Sequence, residues 1–254
     1  TTVVPEINPG KPATVEPAKI LEAIGRCGVT TSFGAPVLWR KIAAHAEARG
    51  LRFPAMRRLL MAGAPVPPAL FARLREVFPN AALWSPYGAT ECLPVSAIEA
   101  EGVLGETAAA TEKGAGTCVG WPVAGVELVI LPIMEAARER FSADESLPPG
   151  RIGEIVVTGP SVTRRYDGLP EATVRAKTRD GGGRVWHRMG DAGYLDEKGR
   201  LWFCGRVAER VRTAEGALFP DCCEGIFNTI PGVARSALIG LGETGRQEPA
   251  VVIE

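Results

Sequence analysis

The first hundred residues repeat one rhythm: a proline, an amphipathic run, then a short apolar stretch. Pro17 opens a run with Ile20, Leu21 and Ile24 on one face and Gly28 at its end. Pro36 opens a second with Leu38, Ile42 and Ala46, closed by Gly50, and Pro67 and Pro68 open a third carrying Leu70, Leu74 and Phe78. Proline suits the first turn of a helix, where its missing N–H has no intrahelical partner. Apolar residues three and four apart then form one buried face. Between these runs, residues 29–33, 58–62 and 82–84 read as short strands. Helix and strand in alternation demand a parallel sheet layered with helices, because parallel neighbours need a crossover connection. The fold class expected here is therefore α/β.

After Gly114 the rhythm is lost. Strand-like runs at 126–131, 152–157, 185–187 and 201–204 are punctuated by Gly and Pro, which predicts a small all-β, barrel-like subdomain. Residues 135–148 are charged and read as an exposed insertion. From Val207, a short helix at 222–227 and strands at 234–239 and 250–253 begin a further α+β unit. The expected organisation is 1–113 as the α/β part, 114–206 as the β subdomain and 207–254 as the start of another domain.

Composition removes several function classes. Twenty-nine basic residues balance 29 acidic ones in a chain of 254, so no long-range field draws in nucleic acid or an anionic membrane. The apolar stretch near 126–133 is too short to span a bilayer and contains Glu127 and Pro132. The N-terminus has neither the basic region nor the apolar core of a signal peptide. Six cysteines without a C-x-x-C pair, and only two histidines, argue against a zinc site and for reduced thiols in a cytoplasmic protein. Cys222 and Cys223 are expected on a helix, one buried and one exposed. His45 and His187 read as structural or exposed. Gly240, Gly242 and Gly245 fit a dinucleotide-binding pattern, but the residues after them include Pro249 and read as a strand rather than the required helix. A hairpin turn is the expectation there.

The segment richest in chemistry is Ser-Pro-Tyr-Gly-Ala-Thr-Glu at 85–91. A tight Pro/Gly turn after a buried strand would present Tyr87, Thr90 and Glu91 together. An aromatic face can stack on a base, a hydroxyl can bond a phosphate oxygen, and a carboxylate can hold Mg²⁺ between phosphates. Taken alone, the same residues read equally well as a turn with Thr90 capping a following helix.

Its neighbours extend the pattern. Met-Ala-Gly-Ala-Pro at 61–65 precedes it, followed by Gly-Glu-Ile-Val-Val-Thr-Gly-Pro-Ser at 153–161, Arg-Met-Gly-Asp at 188–191 leading to Gly199 and Arg200, and Gly205–Arg206. In this order and spacing the chain resembles the adenylate-forming superfamily of acyl-CoA synthetases, luciferases and adenylation domains. The resemblance implies a partial adenylate-forming N-terminal domain followed by the start of the C-terminal lid domain. It implies ATP/AMP and Mg²⁺, with Tyr87 against the adenine and Gly63 and Ala64 on its other side. Gly88 belongs to the same nucleotide-binding turn, Thr90 contacts the α-phosphate, and Glu91 binds the metal. Asp191 accepts hydrogen bonds from the ribose hydroxyls and Arg206 reaches the ribose from below. Without the resemblance, Asp191 reads as a turn aspartate and Arg206 as a surface cation.

Ala-Thr-Glu-Cys-Leu-Pro-Val-Ser at 89–96, with 188–191 and Thr-Ala-Glu-Gly-Ala-Leu-Phe-Pro at 213–220, is similar to the bacterial olefin-biosynthesis branch. That branch implies a long-chain 3-hydroxy (2-alkyl) fatty acid as substrate, a β-lactone as product, and other enzymes of the same hydrocarbon pathway as partners. The superfamily's Gly-rich phosphate loop and C-terminal lysine do not occur, the last lysine being Lys198, so the chain is expected to be a fragment and not competent alone. Ala208 stands where the superfamily has Asp or Lys at the domain pivot, and Met189 where it has Thr or Ser. An ordinary acyl-CoA or acyl-carrier ligase, a non-catalytic binding relative and, on the glycine pattern alone, a dinucleotide oxidoreductase remain as alternatives.

Overall fold

The computed structural model describes residues 1–5, 8, 11 and 14–254. They divide into two compact units, Thr1–Pro86 with Ile98–Glu106, and Tyr87–Ala97 with Thr107–Glu254.

The first unit carries the helix–strand alternation. Strands β1 (Thr31–Gly34), β2 (Arg58–Met61) and β3 (Ala82–Ala89) pair in parallel in that order. Helices α1 (Pro17–Cys27), α2 (Pro36–Glu47) and α3 (Pro68–Val77) each open with proline in the first turn. Ile20, Leu21 and Ile24 of α1 are buried, as are Leu38, Ile42 and Ala46 of α2 and Leu70 and Leu74 of α3. Trp39 meets Phe78 edge-on at 5.8 Å, and Leu59 and Leu83 of the strands are fully buried. A helical segment absent from the sequence reading follows at Ala100–Gly102 (α4), Val103–Thr107 in π geometry, and Ala108–Thr111 (α5).

In the second unit, β4 (Cys92–Glu99), β5 (Thr117–Pro122), β6 (Glu127–Leu131), β7 (Gly153–Thr158), β9 (Val185–Leu195) and β10 (Leu201–Arg206) form an antiparallel sheet. Their order is β4-β5-β10-β9-β7-β6, and β8 (Lys177–Arg179) adds to β9. The sheet curls around one core to which every strand of that path contributes: Cys92, Val95, Val119, Ile130, Ile155, Val157, Met189 and Leu201. Helix α6 (Pro170–Ala176) precedes β8. The chain continues as the hairpin β11 (Val211–Thr213) and β12 (Gly216–Leu218), helix α7 (Pro220–Phe227), and the hairpin β13 (Ser236–Leu241) and β14 (Glu248–Ile253). The glycines at 240–245 belong to that last hairpin and its turn, as their flanking sequence implies.

Several expectations require correction. The strand expected at 82–84 runs on to Ala89, and the one at 185–187 runs on to Leu195. Proline and glycine read locally as stops, yet β3 runs through Pro86 and Gly88, and β9 through Gly190 and Gly193. Segment 135–148 is not simply an exposed insertion. Phe141 is buried edge-on against Trp186 at 5.4 Å, and the buried Arg138 donates to Glu145 at 2.7 Å. Cys222 and Cys223 are both half-buried rather than split between core and surface. His187 is buried, whereas His45 is half-buried beside Arg49. No helix among the described residues is long and apolar enough to cross a membrane.

Gly193 of β9 pairs with Phe203 of β10 and Gly153 of β7. A Cβ there would lie 2.4 Å from the Trp202 carbonyl oxygen and 2.8 Å from Ile155 Cδ1. Backbone cannot give way as a side chain can, so Gly193→Ala is expected to cost about 1–3 kcal/mol, the range for overpacked cores, read as a lowered urea midpoint.

Helix α7 packs on β10 and brings Asp221 to the hydroxyl of Thr117, which donates at 2.8 Å. Burial pushes the Asp221 carboxyl up to about 7, and the acidic neighbours Glu224, Asp191 and Glu209 add to the effect. A carboxyl whose folded pKa is raised contributes stability below its unfolded value of 3.8, and that stability is lost as pH rises through about 7. Thermal midpoints of the wild type should therefore fall between about pH 4 and pH 7 relative to Asp221→Asn, whose amide stays neutral. Parallel curves for the two proteins would remove Asp221 from this role.

Candidate functional site

Strand β3 ends at Ala89, and the two residues Thr90 and Glu91 turn the chain directly into β4 at Cys92. The turn is tight because Gly88 backs onto its far side: a Cβ on Gly88 would lie 2.6 Å from the Cys92 carbonyl oxygen. The expected Pro/Gly turn is therefore strand, and the turn itself is Thr-Glu. No helix follows Thr90, so the capping alternative falls. Thr90 is exposed at the tip and Glu91 is half-buried.

Asp191 owes its position to two irregularities in β9 and β10. Glu154 pairs with Ala192 and Val156 with Arg188, so Ile155 alone on β7 faces residues 189–191 on β9. Gly190, at φ 67°, takes the left-handed conformation that this bulge needs. On the other side Phe203 pairs with Gly193 and Gly205 with Ala192, leaving Cys204 as the extra residue and Arg206 opposite Asp191. The aspartate is thus a strand residue, 4% exposed, rather than a turn residue. Its Oδ1 accepts the Arg206 guanidinium at 2.7 Å and its Oδ2 accepts the Tyr87 hydroxyl at 2.6 Å. Burial raises the Asp191 pKa, while the Tyr87 hydrogen bond and the Arg206 charge oppose that rise. Burial, then the Asp191 charge, holds the Tyr87 phenol protonated and donating. The Tyr87 ring tilts against Phe203 at 5.9 Å.

Glu91 heads a second cluster. Its Oε1 accepts the Tyr166 hydroxyl at 2.6 Å, and its main-chain carbonyl accepts the Thr163 N–H at 2.8 Å. Behind Tyr166, the buried Lys177 Nζ lies 5.8 Å from the ring centroid, donates to Thr163 Oγ1 at 3.1 Å and lies 3.2 Å from His187 Nδ1. The Tyr166 hydrogen bond pulls the Glu91 pKa down, and burial pushes the phenol up to about 12. Burial lowers the Lys177 pKa, and it pushes His187 down to about 4, which leaves His187 neutral at pH 7.

The two clusters share an open cavity of about 360 Å³, walled by Glu91, Tyr166, His187, Met189, Gly190 and Arg206. Of the residues singled out in the sequence, Tyr87, Asp191 and Arg206 are bonded together. Glu91 faces the same cavity as Arg206, with Thr90 next to it in the turn. Gly63 and Ala64 are exposed in the turn after β2, in the first unit, where Gly63 has φ 94°. Sequence reasoning missed Tyr166 and Lys177, and assigned His187 no place in the site. A tyrosine in a polar stretch and a lysine ahead of a loop carry no periodic signal.

The sequence model of the family described as AMP-binding enzyme matches residues 3–167. The olefin β-lactone synthetases of Stenotrophomonas maltophilia and Xanthomonas campestris pathovar campestris are each 48% identical over 259 residues, covering 100% of this chain and 46% of each relative. The solved amide bond synthetase of Marinactinospora thermotolerans is 26% identical, with a TM-score of 0.76 over 94% of this chain and 44% of that one. The chain spans about half the length of the curated relatives it matches. With its helix–strand layer, its curled β sheet and a family match over most of its length, the chain belongs to the AMP-binding enzyme family.

Proposed function

We propose that the protein carrying this chain uses ATP to activate a carboxylic acid as its acyl-AMP. We further propose that the acid is a long-chain 3-hydroxy, 2-alkyl acid which closes to a β-lactone in olefin biosynthesis. The observation that carries the first part is the Tyr87–Asp191–Arg206 constellation, buried at its carboxylate and bordering the cavity that Glu91 faces. The second part is supported by the 48% identity to two olefin β-lactone synthetases. On this reading, residues 1–113 and 114–206 are parts of the adenylation domain and 207–254 begin the lid domain. The protein acts in the cytoplasm beside other enzymes of the hydrocarbon pathway.

Each residue takes a role that its chemistry suits. Asp191 accepts from the ribose hydroxyls while Arg206 holds it ionised and reaches the same sugar. Tyr87 offers its ring to the adenine and Gly88 admits the nucleotide close to the backbone, while Gly63 and Ala64 keep the nucleotide-binding role that the resemblance implies. Thr90 donates to the α-phosphate.

Glu91 suits Mg²⁺. No cluster of three or more His, Cys, Asp or Glu among the described residues can hold a metal unaided. The Glu91 carboxylate faces the cavity, and Mg²⁺ binds through one or two carboxylates plus substrate phosphates. When bound, the metal supplies charge neutralisation for the departing pyrophosphate.

In the first step a substrate carboxylate oxygen bonds to the α-phosphorus and the bond to pyrophosphate breaks. In the second, the substrate's own 3-hydroxyl oxygen attacks the acyl carbon, loses its proton, and AMP leaves as the four-membered ring closes. The nucleophile is already tethered, which offsets part of the ring strain. No external thiol has to be admitted, so the pivot of thioester-forming relatives is not required. Ala208, exposed in the turn at Val207–Glu209, accords with this.

Two measurements on the full-length enzyme test the reading. Glu91→Gln should fold normally, need more Mg²⁺ and adenylate about 10²-fold more slowly, the scale of losing one electrostatic contact to a reacting group. Unchanged kinetics at limiting Mg²⁺ would take Glu91 out of the site. Mass spectrometry should find AMP and a β-lactone from long-chain 3-hydroxy acids without coenzyme A, and Ala208→Asp should not confer thioester synthesis. Acyl-CoA formation with no lactone would return the protein to the acyl-CoA ligases.

A further inference from the structure

Glu91 is held at two points by one short segment. The Thr163 N–H fixes its main-chain carbonyl at 2.8 Å, and the Tyr166 hydroxyl fixes its carboxylate at 2.6 Å. The segment is anchored in turn. The Tyr166 N–H donates to Thr173 Oγ1 at 3.0 Å, and Thr173 Oγ1 donates to the Leu169 carbonyl at 3.0 Å, tying the segment to the first turn of α6. Lys177, 9% exposed, bonds Thr163 at 3.1 Å and lies 5.8 Å from the Tyr166 ring centroid. These contacts close a ring that runs Glu91, Thr163, Lys177, Tyr166 and back to Glu91. A glutamate at a turn tip otherwise samples several rotamers, and ordering it on ligand binding costs free energy.

We propose that Tyr166 is a positioning residue for Glu91: its phenol fixes one carboxylate oxygen and so presents the carboxylate to a divalent cation at the rim of the cavity. This rests on the metal role proposed for Glu91. Tyr166 touches neither nucleotide nor acid in this assignment and acts only through the carboxylate. Lys177 and Thr163 hold the phenol in place. Partners of this kind orient metal-ligating carboxylates, and their loss typically weakens metal binding by about 10–100-fold.

The test uses the full-length enzyme with a non-hydrolysable ATP analogue and Mn²⁺, free Mn²⁺ being read by electron paramagnetic resonance. Tyr166→Phe keeps the ring on Lys177 and removes only the hydroxyl. It should weaken Mn²⁺ binding by about 10-fold, raise the Mg²⁺ concentration needed for half-maximal adenylation, and recover most of kcat at saturating Mg²⁺. Combined with Glu91→Gln it should weaken Mn²⁺ no further than Glu91→Gln alone, because the phenol then has no carboxylate to hold. If Glu91→Gln weakens Mn²⁺ and Tyr166→Phe does not, the positioning role is overturned and the metal role of Glu91 stands. Additive losses in the double variant would also overturn it, since Tyr166 would then act independently. If Glu91→Gln leaves Mn²⁺ binding unchanged, the metal role fails and the positioning role with it.

Discussion

The second unit is organised around a carboxylate taken out of water. Burying an ion costs several kcal/mol unless donors compensate it, and Asp191 receives both of its donors from other strands: Tyr87 from the end of β3 and Arg206 from the end of β10. Three strands are thereby fixed at one point, with Tyr87 lying 104 residues from Asp191 in sequence. Arg206 is itself largely exposed, with its side chain at 55%, so the pair is solvated on one side and buried on the other. That asymmetry leaves the guanidinium facing the cavity while the aspartate stays rigid.

The pairing depends on a break in an otherwise regular ladder. If the register of Phe203 on Gly193 continued unbroken, Gly205 would face Asp191 and Arg206 would face Gly190; the extra residue Cys204 shifts the pairing by one and sets Arg206 opposite Asp191. Met189 is 5% exposed and packs into the core with Cys92, Val95, Ile155 and Leu201. Its side chain contributes to hydrophobic packing beneath the site, where a hydroxyl would need a partner.

The two clusters that border the cavity handle charge differently. In the first, Asp191 and Arg206 neutralise each other. In the second, Glu91 accepts from the neutral donor Tyr166, and the cation Lys177 stands behind that phenol rather than on the carboxylate. His187, buried and neutral, closes this wall without adding charge. Glu91 thus keeps its negative charge toward the cavity, because its hydrogen-bond partner is not an ion.

The sequence by itself determined the layering and the motif residues. Proline at helix starts, apolar positions three and four apart, and glycine at helix ends are local signals, and α1, α2 and α3 formed where those signals stood. Tyr87, Thr90, Glu91, Asp191 and Arg206 were legible because they sit in an ordered pattern that composition does not disguise. The lengths of β3 and β9 were not legible, since a proline or glycine reads as a stop until a neighbouring strand supplies its partners. Segment 135–148 was misread for the same reason: the charge that marked it as exposed hides Phe141, whose burial depends on Trp186 in a distant strand. Tyr166 and Lys177 could be found only in the fold, because each lies more than seventy residues from Glu91 and their roles rest on distances of a few ångströms. Periodicity reports which face of an element is buried. The partner across a sheet, and therefore the chemistry of a site built from several strands, is decided by tertiary packing alone.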